Sequence, residues 1–167
     1  MTDRFVNEET FEALRRSVDT NAEKWGLGRE EIAQRVAILP HTWGENVEKL
    51  TQTEKELDGC ASREKADLLI ASDCIYNPTY HRALLQSAVG IMGDGGIFIV
   101  GYSFHGNVPK SETLHFFAVA KEEFGLRVVN EFTKEYRGQS GIGSNDEERG
   151  AVHVKVLMRE QAAEQIL

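Results

Sequence analysis

The sequence predicts an α/β fold whose sheet is mostly parallel and ends in an antiparallel pair of strands. Two apolar runs, at residues 68–70 and 97–102, lack polar alternation, which is typical of central strands covered on both faces. Segments with helical apolar spacing alternate with these runs, and that order favours parallel strands joined by right-handed crossovers. Residues 126–136 and 151–159 instead alternate apolar and polar side chains, which predicts an antiparallel pair at one sheet edge.

Apolar residues at helical spacing predict three helices. They span residues 7–25, 78–91 and 110–124. Gly26 and Gly125 stand just past the ends of the first and the third, where glycine commonly closes a helix. Asn77 and Pro78 supply an N-cap and a first helical residue for the second helix. The glycine-rich residues 93–96 are predicted to form the turn that ends it.

A further strand is predicted before the first central run. Residues 35–43 contain four successive apolar residues and then Pro40, a pattern short and branched enough for a strand. Residues 45–63 are more polar and contain the turn pair Asp58-Gly59. We therefore predict a loose, partly helical connection between the two strands.

Length and composition restrict the classes of function. With 167 residues, 41% of them hydrophobic, the chain fits one domain with a sizeable core, which we assign to residues 1–159 and a tail at 160–167. The formal net charge of −8 opposes binding to nucleic acids and to anionic membranes. Cys60 and Cys74 are the only cysteines, and neither a signal segment nor an apolar run of roughly 18 residues is present. We expect a cytoplasmic protein, with the nucleus as a second compartment.

Several motifs argue against other chemistries. The glycine-rich residues 138–144 lie between alternating strands, so we interpret them as a hairpin loop and not as a phosphate-binding loop. The five histidines and two cysteines lack metal-ligand spacing, and no metal is expected. Ser72 lacks the flanking glycines of a nucleophile elbow. Cys74 has no local basic group and is interpreted as a buried, inert thiol.

Acidic and aromatic side chains follow the predicted strands at their carboxyl ends. They are Trp43 after the first strand, Asp73 and Tyr76 after the second, and Tyr102 and Phe104 after the third. Ligands of open α/β sheets bind at that edge, so this clustering indicates a shared cleft. Asp73 is also suited to capping the following turn, and the residues alone leave both interpretations open.

One stretch resembles a known signature. The run Ala71-Ser-Asp73-Cys-Ile-Tyr76, with Asp-Leu-Leu-Ile before it and Asn-Pro-x-x-His-x-x-Leu-Leu after it, resembles the Asp-x-x-Tyr motif of the seven-β-strand, S-adenosylmethionine-dependent protein methyltransferases. This family, methyltransferase superfamily 16, is nicotinamide N-methyltransferase-like and acts mostly on lysines of non-histone proteins. Thr42-Trp43-Gly44 is similar to the family's strand ending in Trp-Gly, and residues 97–104 resemble its fifth strand.

The resemblance implies a Rossmann-like class I methyltransferase fold, S-adenosyl-L-methionine as cofactor, and a protein substrate that presents a lysine. By this resemblance, Asp73 and Tyr76 are the catalytic residues and lie where the lysine enters the site, with Tyr102 and Phe104 near the target side chain. On the cofactor side, Trp43, Ala71 and Ser72 match positions beside the adenine, and Asp3 matches the acid that binds the ribose hydroxyls. The resemblance runs from about residue 2 to residue 159.

The family's first strand and its Gly-x-Gly-x-Gly-type loop would precede Thr2. We therefore expect a C-terminal portion of such a domain, missing the first strand and weak or inactive as given, in preference to a degenerate relative of the family. Direct pairing of residues 35–39 with residues 68–70 is the alternative that would close the gap. Two other functions stay open, an N-methyltransferase for nicotinamide-like amines and a non-catalytic module that binds proteins through its sheet edge.

Overall fold

The computed structural model describes residues 8–24, 26–52, 65–104, 108–135 and 151–163. Within them, a four-stranded sheet is combined with helices. The helices are α1 (Glu8–Lys24), α2 (Arg29–Arg35), α3 (His81–Ile91), α4 (Lys110–Phe124) and α5 (Glu160–Ala163), and the strands are β1 (Ala66–Ser72), β2 (Met92–Tyr102), β3 (Leu126–Glu135) and β4 (Ala151–Arg159). A short helical segment at residues 48–52 and a 3-10 turn at Pro78–Tyr80 complete the described secondary structure.

The strands lie in the order β1-β2-β4-β3. β1 pairs with β2 in parallel, with Ala71 opposite Val100, whereas β2–β4 and β3–β4 are antiparallel. The predicted antiparallel pair at the C-terminal edge is therefore confirmed. A mostly parallel sheet is not confirmed, because one of the three neighbouring pairs in the described sheet is parallel.

The predicted helices are confirmed, with ends that follow from local signals. The side chain of Asn77 accepts a hydrogen bond from the Thr79 amide over 3.1 Å, as expected of an N-cap, and α3 follows the 3-10 turn. Gly125 closes α4 in the left-handed conformation, with φ +62°. None of the described helices combines the length and the apolar character that crossing a membrane requires.

The strand predicted at residues 35–43 is wrong. Arg35 ends helix α2, where its guanidinium lies 2.9 Å from the carboxylate of Glu31 one helical turn earlier. Val36 is extended, but residues 36–40 belong to no strand of the described sheet, and the alternative in which residues 35–39 pair with residues 68–70 is not observed. A strand needs a partner, and Pro40 lacks the amide hydrogen for one ladder bond.

The glycines predicted to form a turn lie inside β2. Between the pairs Ala66–Met92 and Leu68–Ile97 the chain advances by two residues on β1 and by five on β2, so the glycine-rich segment forms an irregularity in the ladder. A Cβ atom on Gly96 would lie 2.6 Å from the Met92 side chain. Glycine therefore permits the bulge instead of ending the strand.

The two faces of the sheet differ in burial. Phe98, Val100 and Leu157 are buried on the face that packs against α3 and α4. On the opposite face Leu68 is 51% exposed and Ile70 is 69% exposed. The prediction that β1 is covered on both faces is therefore wrong for the described structure, which exposes an apolar surface there.

Helix α3 is tied to its surroundings along its length. At its C-terminal end, Lys65 Nζ donates to the Gly90 carbonyl oxygen over 2.6 Å, and Arg159 Nη2 donates to the carbonyl oxygen of Val89 over 2.9 Å. Both cations thus satisfy carbonyl groups that a helix end leaves open. Toward α4, Arg82 forms a two-pronged ion pair with Glu123 at 2.8 and 2.6 Å. α3 is therefore a fixed element beside which loops can be positioned.

Candidate active site

Asp73 stands at the carboxyl end of β1 in an unusual backbone conformation. Its φ of +56° places it in the left-handed region, which aspartate adopts more readily than most residues other than glycine. Its amide donates to the carbonyl oxygen of Gly101 over 2.7 Å, so the ends of β1 and β2 are joined at this residue. The side chain is exposed. Because Asn77 caps the following turn, the cap does not require Asp73.

Buried residues fix the backbone of the loop that follows Asp73. Ile75 is fully buried, whereas its neighbours Asp73 and Tyr76 are exposed. The Ile75 carbonyl oxygen lies 2.9 Å from Nε2 of His81, and a carbonyl only accepts, so Nε2 carries the hydrogen. The His81 ring packs edge-on against Phe116 at 5.2 Å between centroids. A buried anchor thus fixes the loop that carries both exposed side chains at the end of β1.

The chemistry of His81 agrees with this arrangement. Burial lowers the pKa of His81 below its ordinary value, which keeps the imidazole neutral and Nδ1 unprotonated. Among the described residues, that buried Nδ1 atom has no hydrogen-bond partner. Sequence reasoning missed His81 as a functional residue, although it stands in the Asn-Pro-x-x-His pattern at the start of α3.

Trp43 lies in a turn against α3. Its ring is half-buried and packs against the core cluster that contains Ala71, so the structure brings these two predicted cofactor residues to one side of the sheet. The amide of the next residue, Gly44, donates to Ser87 Oγ over 2.8 Å. Beside this turn is a cavity of about 470 Å³ lined by residues 40–42, 45, 46 and 48–50. Ser72, the third such residue, is exposed at the end of β1, and the predicted ribose residue Asp3 lies outside the described residues.

Aromatic rings gather where β2 ends. Tyr102 lies 5.7 Å from Phe104 and 5.3 Å from the stacked ring of His153, measured between ring centroids. His153 was not predicted, because its contact with β2 depends on the pairing of β2 with β4. Burial, with a smaller contribution from Glu131, raises the pKa of Tyr102 to about 12. Tyr102 is therefore a neutral core residue, and the half-buried Phe104 is the more accessible member of the predicted substrate pair.

Lysine side chains cover part of this aromatic cluster. Lys110 Nζ lies 5.3 Å from the centre of the Phe104 ring, and Lys155 Nζ lies 4.9 Å from that of Phe117. Both distances are typical of cation–π contacts. Lys155 also forms a 2.7 Å ion pair with Glu131. The ring faces at the end of β2 therefore accept cationic groups.

The last candidates for chemistry are the thiol of Cys74 and clusters of side chains that could bind a metal. Cys74 is half-buried, its thiol donates to the Ser72 carbonyl oxygen over 3.3 Å, and burial raises its pKa. A raised pKa supports the interpretation of an unreactive thiol. Within the part of the chain that the structure describes, no group of three or more His, Cys, Asp and Glu side chains is arranged to hold a metal ion.

Known proteins with similar sequences are methyltransferases. The chain is 32% identical over 97 residues to a protein N-terminal and lysine N-methyltransferase of Candida glabrata, and 34% identical over 83 residues to one of Cryptococcus neoformans var. neoformans. The chain is similar to protein N-terminal and lysine N-methyltransferases. These relatives support a protein methyltransferase family, whereas no family model matches the chain.

The similarity covers part of each protein. The matched residues are 58% of this chain and 35% of the Candida glabrata relative, and 50% of this chain and 24% of the Cryptococcus neoformans relative. The match thus spans about a third of the first relative and about a quarter of the second.

Proposed function

We propose that the protein is an S-adenosylmethionine-dependent N-methyltransferase that methylates a lysine side chain of a non-histone protein. The observation that carries this proposal is the buried anchor of Ile75 and His81, which fixes the loop that carries the exposed Asp73 and Tyr76 at the end of β1. The names of the similar proteins support an amine of a protein as substrate, either a lysine or an N-terminal amine.

On the substrate side, Asp73 supplies a carboxylate and Tyr76 a phenol with hydrogen-bonding capacity, both exposed to an incoming amine. Together they orient the amine so that its lone pair is directed at the reacting carbon, and the half-buried Phe104, packed against Tyr102 at the end of β2, would lie near the target side chain. Positioning is the main contribution expected of the protein, because the amine is itself the nucleophile. The negative charge of the chain, −8, suits a cationic lysine segment.

On the cofactor side, Trp43 offers a half-buried aromatic face and Ala71 a small apolar side chain in the same cluster. These described residues fit the adenine end of S-adenosylmethionine, since flat aromatic rings stack on such a face. Ser72 would contact it from the end of β1, and Asp3 would hold the ribose. When bound, the cofactor supplies an electrophilic methyl group. A Rossmann-like class I sheet is the fold that this proposal requires.

A methyl-transfer assay with isotopically labelled S-adenosylmethionine and whole cell extract tests the proposal, followed by mass spectrometry of the labelled proteins and small molecules. Asp73→Ala and Tyr76→Phe are each expected to lower kcat/KM by about tenfold or more, as loss of an orienting hydrogen bond does. Asp94→Asn is the matched control, an exposed acid at the opposite end of the sheet. Full activity of both site variants would contradict the residue assignment, and label found in nicotinamide-like amines alone would contradict a protein substrate.

The exposed apolar face favours a second candidate, a non-catalytic module that binds a protein. β1 is an edge strand of the described sheet, and Leu68 and Ile70 are exposed on it. Calorimetry with S-adenosylhomocysteine separates the candidates. Binding in the micromolar range supports the methyltransferase, and the absence of heat supports the module.

A further inference from the structure

A single hydroxyl group binds one residue before Trp43 and one residue after it. Ser87 Oγ accepts a hydrogen bond from the Gly44 amide over 2.8 Å and lies 2.9 Å from His41 Nε2. A serine hydroxyl has one hydrogen and two lone pairs, so it can make both contacts at once. Ser87 is buried, which shields these hydrogen bonds from competition with water. The turn is thus attached to one point of α3 through the His41 side chain before Trp43 and through the Gly44 amide after it.

The turn also approaches α3 more closely than larger side chains would permit. Gly44 has a φ of +88°, and a Cβ atom there would lie 3.2 Å from the Cβ atom of Ala83. One helical turn beyond Ser87, a Cβ atom on Gly90 would lie 3.0 Å from the Val47 side chain. Small residues above and below Ser87 therefore allow the hydroxyl to reach the turn.

The helix that holds Ser87 is itself fixed by Lys65, Arg159 and Glu123. Residues that are hydrogen-bonded to Ser87 are therefore held in a fixed position relative to α3. The indole of Trp43 lies between the two tied residues and packs against the core, so its orientation follows from the attachment at Ser87.

We infer that Ser87 is a positioning residue that orients Trp43 and thereby sets the affinity for the adenine end of the cofactor. The second part of this inference, the effect on cofactor affinity, rests on the proposed function. It assigns Ser87 no contact with the cofactor, since the hydroxyl acts through the His41 side chain and the Gly44 amide.

Fluorescence tests the first half without any ligand. The chain contains two tryptophans, so Trp25→Phe leaves Trp43 as the reporter. In that background we expect Ser87→Ala to shift the emission of Trp43 to longer wavelength, because the ring loses its fixed place against the core. Ser87→Thr, which retains the hydroxyl, should restore the emission, and Ser111→Ala, at an exposed serine of α4, should leave it unchanged. Circular dichroism confirms that the variants are folded, and Ser87→Cys, which has the same branching but a weakly hydrogen-bonding thiol, replaces the alanine variant if that one unfolds.

Calorimetry with S-adenosylhomocysteine tests the second half. Ser87→Ala or Ser87→Cys should raise Kd by about tenfold, the loss expected when a preorganised contact surface becomes mobile, and Ser87→Thr should recover most of it. Unchanged emission and unchanged Kd in the alanine and cysteine variants would overturn the inference. If the unaltered chain does not bind S-adenosylhomocysteine, the cofactor role and the proposed function both fall, whereas a red-shifted Trp43 would still support the anchor.

Discussion

Nε2 of His81 donates a hydrogen bond of 2.9 Å to the carbonyl oxygen of Ile75 inside the core. Ile75 is the middle of a loop whose exposed residues, Asp73 and Tyr76, form the substrate side of the proposed site. The imidazole thus fixes the backbone between two candidate functional groups without being accessible itself. A buried side chain can control an exposed site in this way, and the predictions begin there.

Replacing His81 should impair both stability and methyl transfer. His81→Leu leaves the buried Ile75 carbonyl unpaired, which should cost about 1–3 kcal/mol in the free energy of unfolding. We expect a larger fall in kcat than rise in KM for the cofactor, since the loop lies on the amine side. His81→Gln retains a donor near the position of Nε2 and should recover part of both losses. Wild-type unfolding and kinetics in His81→Leu would contradict the anchoring role.

Stability should fall in mild acid. Burial lowers the pKa values of His81, His41 and His153, the last with help from Lys110 and Lys155. The unfolded chain, with histidine pKa values of about 6.5, then binds more protons, so the free energy of unfolding rises with pH. The histidine contribution is complete above about 6.5 and is lost as pH falls toward the lower folded values. Denaturant titrations across this range measure the slope, which should be shallower in His81→Gln. A stability that is independent of pH there would contradict the prediction.

The two faces of the sheet should respond very differently to substitution. Ile70→Thr, on the exposed face, should change the free energy of unfolding by no more than about 0.5 kcal/mol. Leu85→Ala, at a fully buried position of α3, should lower it by about 2–5 kcal/mol. Guanidinium unfolding of the two variants gives the comparison. Equal losses would mean that the face bearing Ile70 is covered in solution.

The thiol of Cys74 should be slow to react and dispensable. Because burial raises its pKa, little thiolate forms near neutral pH. In a Cys60→Ser background, modification by an aromatic disulfide reagent should be much slower for the folded chain than in denaturant. Cys74→Ser should retain methyl transfer, and loss of activity in that variant would point to a chemical role for the thiol.

Local signals account for the features that sequence reasoning predicted correctly. Gly125 marks the end of α4 because the left-handed closing residue is a property of the chain at that point. The alternation in residues 151–159 predicted a strand with the bounds of β4, although burial in β4 does not follow that alternation, since the adjacent Leu157 and Met158 are both buried and Val152 is exposed. Asp73 and Tyr76 were predicted as site residues because a strand end and the resemblance to a known signature coincide there, and that assignment stays a prediction.

Contacts between distant residues account for the failures. Residues 36–39 have strand-like composition, but a strand forms only where a partner is available, and no partner can be read from the segment itself. The apolar run of β1 predicts a strand but not the layers on each of its faces, hence the error at Leu68 and Ile70. Ser87 meets its turn across 43 residues of chain, beyond the reach of any local pattern.

The left-handed backbone of Asp73 places stability and chemistry in competition at one position. At such a φ, the Cβ atom of any residue other than glycine costs up to about 1 kcal/mol in steric strain, and glycine avoids this cost. In a library randomised at this codon, survival of heat alone would enrich glycine. A screen for product would enrich aspartate instead. The difference in free energy of unfolding between the two selected variants would measure the stability that the protein loses by having a carboxylate at this position.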